Sequence, residues 1–390
     1  MTIDLSLRLQ KIKPSPTLAL AAKARELKTE GKDIIDLTVG EPDFPTSNCA
    51  KEAAIKAINN NFTKYTAVDG IASLRAAIVN KLARENNLKY EANQILVSCG
   101  AKHSLYNLFQ ALLNSGDEVI IQAPYWVSYP DMVLLADGKP IFIETAVEQG
   151  FKITPQQLAQ AITPKTKALI LNSPSNPTGM VYTQKELEAL AQVLLKHPQV
   201  LFISDDIYEH ILWDGKFVNL LNVCPELYAR SVVVNGMSKA YAMTGWRIGY
   251  AVGPKKIIDG MKNLQSQSTS NPTSIAQVAA EAALKGPQDE VLKMCQAFHE
   301  RHDFLVKELQ SIAEMEILPA QGAFYAFPKV TELMEKHGCK TDVEFADLLL
   351  NQAEIAIVPG SAFGAPGYIR ISYATSLDNL QKAVTRIKKL

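Results

Sequence analysis

The sequence predicts an α/β protein in two parts: a large domain on a mostly parallel seven-stranded sheet covered by helices, and a smaller α+β domain. Three observations carry this reading. The chain has 390 residues, room for roughly two domains of about 100–200 residues each. Between residues 94 and 252, seven short aliphatic runs recur, each bounded by turn residues and separated by helical patterns. Near Gly286-Pro287 that pattern stops and a long charged helical stretch begins.

Residues 1–45 read as an arm that also supplies part of the small domain. Pro14 and Pro16 precede a helical stretch over 18–30, and Ile34-Ile35-Asp36-Leu37 follows as a strand that Pro42 and Pro45 end. Residues 46–285 read as the large domain. Its runs are Ile95-Leu96-Val97, Val119-Ile120-Ile121, Ile141-Phe142-Ile143, Leu169-Ile170-Leu171, Val200-Leu201-Phe202-Ile203, Val232-Val233-Val234 and Ile248-Gly249-Tyr250-Ala251-Val252. Continuous rather than alternating apolar character marks strands buried on both faces. Residues 101–113 and 184–196 read as helices, the second with Leu187, Leu190 and Leu194 at helical spacing. Residues 286–390 read as the small domain, with a helix to about 311, strands at 324–327 and 369–372, and helices at 342–353 and 377–389.

Composition narrows the function. Lys+Arg and Asp+Glu each number 40, so the formal charge is zero, which argues against nucleic acid or an anionic membrane as main partner. No stretch approaches the roughly 18 apolar residues of a membrane span. Arg8, Lys11, Lys13 and Lys23 interrupt the start of the chain, so no secretory signal is expected. Five cysteines at 49, 99, 224, 295 and 339, without a C-x-x-C pair, read as reduced thiols in a cytoplasmic protein. The six histidines show no metal signature, since His299-Glu300-Arg301-His302 is not H-E-x-x-H, and no metal is expected.

In open α/β sheets, ligands sit beyond the carboxyl ends of the strands. After the successive runs come Ser98-Cys99-Gly100-Ala101-Lys102, Ala123-Pro124-Tyr125-Trp126, Asn172-Ser173-Pro174-Ser175-Asn176-Pro177-Thr178-Gly179, Ser204-Asp205-Asp206-Ile207-Tyr208 and Asn235-Gly236-Met237-Ser238-Lys239. A helix entered through Gly100 offers free N–H groups to an anion, with Arg247 as a clamp and Ser238 as a hydroxyl. A phosphate alone leaves the lysine, carboxylate and indole unexplained. A phosphorylated pyridine aldehyde accounts for all of them: an amine for the aldehyde, an acid for the ring nitrogen, an indole for the ring face, and a phenol and an amide for the ring oxygen.

On these residues the chain resembles the fold-type-I pyridoxal-phosphate aminotransferases, and more narrowly the bacterial aspartate and prephenate aminotransferase group. The likeness runs from Lys13-Pro14-Ser15 to Arg370-Ile371-Ser372-Tyr373-Ala374-Thr375. It includes Gly40-Glu41-Pro42-Asp43-Phe44, Pro124-Tyr125-Trp126, Asn176-Pro177-Thr178-Gly179, Ser204-Asp205-Asp206-Ile207-Tyr208, and Ser238-Lys239 followed by Thr244-Gly245-Trp246-Arg247-Ile248-Gly249.

The resemblance implies pyridoxal 5′-phosphate as cofactor and Lys239 as both its imine-forming amine and the base that moves a proton between substrate and cofactor. It implies Asp205 for the pyridine nitrogen, three residues before Tyr208. Strand alternation lets only one of Asp205 and Asp206 face the ring, which leaves Asp206 as a surface or helix-capping acid. Gly100, Ala101, Lys102, Ser238 and Arg247 would hold the phosphate, Trp126 the ring face, and Asn176 and Tyr208 the ring oxygen. Gly40, Trp126, Asn176 and Arg370 would meet the substrate, Arg370 through its α-carboxylate. Lys13 would reach a distal carboxylate. Tyr65 would reach the phosphate in a neighbouring subunit, which implies a homodimer with shared sites.

A Rossmann dehydrogenase would need G-x-G-x-x-G after the first strand, and a P-loop enzyme G-x-x-x-x-G-K-[ST]; neither occurs. A non-catalytic relative would be expected to lack Lys239 or Asp205. Other pyridoxal-phosphate chemistries share the cofactor residues, but Arg370 favours transamination. Lys13 with Arg370 suits L-aspartate and 2-oxoglutarate, giving oxaloacetate and L-glutamate, with prephenate the alternative acceptor.

Overall fold

A computed structural model describes residues 4–12 and 16–390. Its strands, in chain order, are β1 (Ile35–Asp36), β2 (Ile95–Ser98), β3 (Glu118–Ala123), β4 (Lys139–Glu144), β5 (Thr166–Asn172), β6 (Leu201–Asp205), β7 (Ser231–Gly236), β8 (Gly249–Val252), β9 (Tyr325–Ala326), β10 (Ile355–Ala356), β11 (Val358–Pro359) and β12 (Ile369–Ser372). The seven aliphatic runs become one sheet in the order β2-β8-β7-β6-β5-β3-β4. All neighbours are parallel except those of β8, which runs antiparallel to both β2 and β7.

Alternation along each strand splits the apolar residues between two cores. Val97, Ile120, Leu169, Leu171, Phe202, Val233 and Tyr250 face one, and Leu96, Val119, Ile121, Ile170, Ile203, Val234 and Ala251 face the other. Helices cover both, because a parallel sheet has no face fit for water. The helix Gln184–Leu195 packs Leu187, Leu190 and Leu194 on the first face. On the second, the helix Ala101–Leu112 packs Leu105, Leu108 and Phe109.

β1 pairs with β10 in parallel, so the start of the chain joins its last third. β11, β12 and β9 form a three-stranded antiparallel sheet. Around them, Phe298, Leu305 and Leu309 of the helix Asp289–Gln310 build a separate core with Phe324, Phe345, Ile369, Ile371 and Leu380. Tyr208, just beyond β6, is buried in that core rather than under the sheet. The end of β6 is therefore the place where the two cores meet.

Candidate active site

A cavity of about 660 Å³ opens at the carboxyl ends of the strands. Its walls include Gly40, Ala101, Lys102, Trp126, Asn176, Asp205, Tyr208, Ser238, Lys239, Arg247 and Arg370. Eight of these eleven residues end or follow parallel strands of the large sheet, whose carboxyl ends all point to the same edge; Arg247 precedes the antiparallel β8, and Gly40 and Arg370 come from the segments of β1 and β12.

Lys239 follows β7 and donates from Nζ to the Gly40 carbonyl oxygen. Nζ lies 5.8 Å from the Tyr208 ring centroid and 6.0 Å from that of Phe324. Burial, reinforced by the Arg370 charge, lowers its ammonium to about 8, although Glu41 and Asp205 oppose the shift. An amine so placed is neutral in a useful fraction of molecules near neutral pH, as a nucleophile or base requires.

Asp205 ends β6 and is 4% exposed. Its Oδ2 accepts a 2.5 Å hydrogen bond from the Tyr129 hydroxyl, and its Oδ1 accepts from the Ile207 amide at 3.3 Å. Burial raises this carboxyl to about 6; the Tyr129 bond, the Ile207 amide and the Lys239 charge pull the other way.

Asp206 departs from expectation. It is neither a surface acid nor a cap, but 2% exposed and turned away from the cavity. Ser204 Oγ donates to it at 2.5 Å and Asn219 Nδ2 at 2.6 Å. Burial and the nearby Glu209 charge raise its carboxyl to about 8. Strand alternation does separate the two acids, but the far side of this strand end is protein interior.

The loop after β6 is braced from behind. Glu209 accepts from Asn86 Nδ2 at 2.5 Å and from Asn235 Nδ2 at 2.6 Å, and it pairs with the fully buried Lys81. That network fixes the neighbour of Tyr208, whose hydroxyl lies 2.8 Å from the Tyr325 hydroxyl.

Arg370, on β12, is 3% exposed. Nη1 donates to Asn176 Oδ1 at 3.0 Å and Nη2 to the Thr38 carbonyl at 2.6 Å, while Nε is buried without a protein partner. Its guanidinium lies 4.5 Å from the Tyr325 ring centroid and 5.0 Å from that of Phe363. A buried cation with no carboxylate beside it among the described residues, and a spare donor, is arranged for an incoming anion.

Just before the cavity-lining Ala101, Gly100 caps the helix Ala101–Leu112 with φ of +87°. A side chain there would be strained and would strike the Arg247 guanidinium. Arg247 donates to the Thr244 carbonyl at 2.8 Å and to the Cys99 carbonyl at 3.4 Å. The helix start, Ser238 and Arg247 thus present donors to one spot. Lys102 Nζ stands 5.0 Å over the Trp126 ring. Burial and Arg247 lower the Lys102 ammonium.

Among the described residues, two of those predicted, Gly100 and Tyr65, are not part of the cavity lining. Tyr65 is 91% exposed and outside this chain's own pocket. Lys13 lies outside the described residues. Three contributors have no place in the sequence-based expectation. Tyr129 holds Asp205, and its ring meets Trp126 edge-on at 5.3 Å. Asn172 donates to the Asp205 carbonyl at 2.9 Å and accepts from the Asn176 amide at 2.8 Å. Thr38 acts only through its backbone carbonyl. The one available signal for Tyr129 is its place three residues after Trp126, and that for Asn172 its place at the end of an aliphatic run; Thr38, which acts through its carbonyl, leaves no side-chain signal.

The sequence model of the family described as aminotransferase class I and II matches residues 32–387. An aspartate/prephenate aminotransferase of Nitrosomonas europaea is 58% identical over the whole of both chains. An aspartate aminotransferase of Geobacillus stearothermophilus is 53% identical, over 99% of this chain and 98% of its own. Among solved structures, the aspartate aminotransferase of Thermus thermophilus with maleate superposes with a TM-score of 0.95 at 44% identity, covering both chains completely. Agreement of this extent along the full length leaves one placement: the chain belongs to the class I and II aminotransferases, and its cofactor is pyridoxal 5′-phosphate.

Proposed function

We propose that this chain is an aspartate aminotransferase, exchanging the amino group between L-aspartate and 2-oxoglutarate. One observation carries the reading: the Lys239 amine and the partner-poor Arg370 guanidinium face the same cavity, beside the buried Asp205. The donor set fits the cofactor. The helix start at Ala101, Ser238 and Arg247 would hold its phosphate, Lys239 its carbonyl, Asp205 its ring nitrogen and Trp126 its ring face. When bound, the cofactor supplies an electrophilic carbonyl and an electron-accepting ring.

The chain's residues then divide the work. Arg370 binds the substrate α-carboxylate through a planar fork, with Asn176 orienting it. Lys239 Nζ, once free, takes the proton from the substrate Cα and returns it to the carbon that receives the nitrogen. Asp205, held by Tyr129, keeps positive charge at the ring nitrogen. Lys13 is proposed for the distal carboxylate.

The catalytic unit is proposed to be a cytoplasmic homodimer sharing its sites. Tyr65 at 91% and Phe62 at 40% exposure, on one segment, support a partner surface, and the five free cysteines support a reducing compartment. Within each chain we place the large domain at 46–285 and the small domain at 1–45 with 286–390. Prephenate is the second acceptor to try, since the Nitrosomonas relative is named for both activities.

The direct test is an assay panel with aspartate or glutamate as donor and 2-oxoglutarate, oxaloacetate, prephenate or phenylpyruvate as acceptor. Turnover with aspartate and 2-oxoglutarate is expected; its absence with a loaded cofactor refutes the substrate. Arg370→Lys is expected to raise KM for aspartate by about ten- to a hundredfold, since a charge-assisted pair is worth roughly 1.5–3 kcal/mol and an ammonium cannot replace the fork. Steady-state kinetics checks this. The rate at which apoprotein takes up cofactor should rise with pH and level off above about 8, because only the neutral Lys239 amine attacks a carbonyl. Stopped-flow absorbance across pH reads that profile.

A further inference from the structure

We propose that His299, His302 and Asp303 form a binding site for a divalent transition-metal ion of the zinc type, separate from the cofactor cavity. The three residues lie on the helix Asp289–Gln310 at i, i+3 and i+4, and so share one face. One nitrogen from each imidazole and one carboxylate oxygen all fall within 4.8 Å of one another. Asp303 Oδ1 lies 2.9 Å from His302 Nδ1 and 3.7 Å from His299 Nε2. Ligands at about 2.0–2.2 Å from a tetrahedral ion stand roughly 3.3–3.6 Å apart, so these separations bracket the required edge. Two imidazoles and a carboxylate are a borderline-soft donor set, suited to zinc, nickel or copper rather than magnesium or calcium.

Both rings are already fixed. His299 stacks on Trp213, with centroids 5.2 Å apart and planes 9° from parallel. His302 is 5% exposed and lies between Trp213 and Tyr373, at centroid distances of 5.7 and 6.0 Å. Its Nε2 is buried without a partner, and its bonded nitrogen is the one turned toward Asp303. The Asp303 side chain, 66% exposed, leaves an open side where water can complete the coordination.

The other comparable grouping among the described residues, Glu85, Glu209 and His210, carries no such proposal. There the Lys81 ammonium already sits against both carboxylates. The Asp303 carboxylate instead faces the two imidazoles.

The test is titration of tag-free holoenzyme with Zn²⁺ by calorimetry, and with Ni²⁺ by quenching of tryptophan fluorescence. One ion per chain is expected. Ni²⁺ quenching should include a component that disappears in Trp213→Phe. His299→Ala and Asp303→Asn, both at side chains that reach solvent, should each weaken binding by about tenfold or more, at least the loss that removing a supporting partner causes. Both should leave transaminase turnover without added metal unchanged. Absence of saturable binding, or equal affinity in the parent protein and both variants, overturns the proposal.

Discussion

Replacing Lys239 by alanine is expected to cut transamination by roughly four orders of magnitude, the upper range for loss of a positioned acid–base group. The cofactor should remain bound, since the donors at Ala101, Lys102, Ser238 and Arg247 are untouched. Lys102 also lines the cavity, but its ammonium sits 5.0 Å over the Trp126 ring, so it is a poor substitute. Lys239→Arg should fare no better, because a guanidinium keeps its proton at any working pH. Single-turnover absorbance of the cofactor-loaded variant checks both. A variant within about tenfold of the parent would remove Lys239 from the chemistry.

The second large effect is expected at Asp205. Asp205→Ala should slow Cα proton loss by about a hundred- to a thousandfold, the usual scale for one preorganised electrostatic contact, and weaken cofactor retention. The carboxylate is effective because it is buried, where little water screens its charge. Burial also pushes its pKa up to about 6, and the Tyr129 hydroxyl limits that rise. Asp206→Asn should leave turnover within a few fold, since that side chain bonds Ser204 and Asn219 on the far side of the strand end. Isotope effects with α-deuterated aspartate, measured on both variants, separate the two acids. If the Asp206 change proves the damaging one, the division of roles is reversed.

The contrast between these acids shows what a sequence can carry. Alternation along β6 is enough to separate Asp205 from Asp206, because neighbouring side chains on a strand point apart. What lies behind Asp206 is invisible locally: Asn219 arrives from 13 residues on, and the Lys81–Glu209 pair spans far more. The seven aliphatic runs are legible because a sheet buried on both faces needs continuous apolar strands. The sheet order is not, since nothing in the runs says that β8 inserts antiparallel between β2 and β7. Arg370 is legible as an arginine in a matching motif. Its dependence on the Thr38 carbonyl is not, because a backbone acceptor carries no side-chain signature. The cluster at His299, His302 and Asp303 falls outside the H-E-x-x-H pattern because its ligands use a different helical spacing.

The site depends on which nitrogen in this chain bonds the cofactor. Reduction of the loaded protein with borohydride, followed by peptide mass mapping, fixes that nitrogen permanently. A single pyridoxyl adduct on Lys239 is expected. An adduct on Lys102 or any other lysine, or none on protein that is saturated with cofactor, contradicts the account.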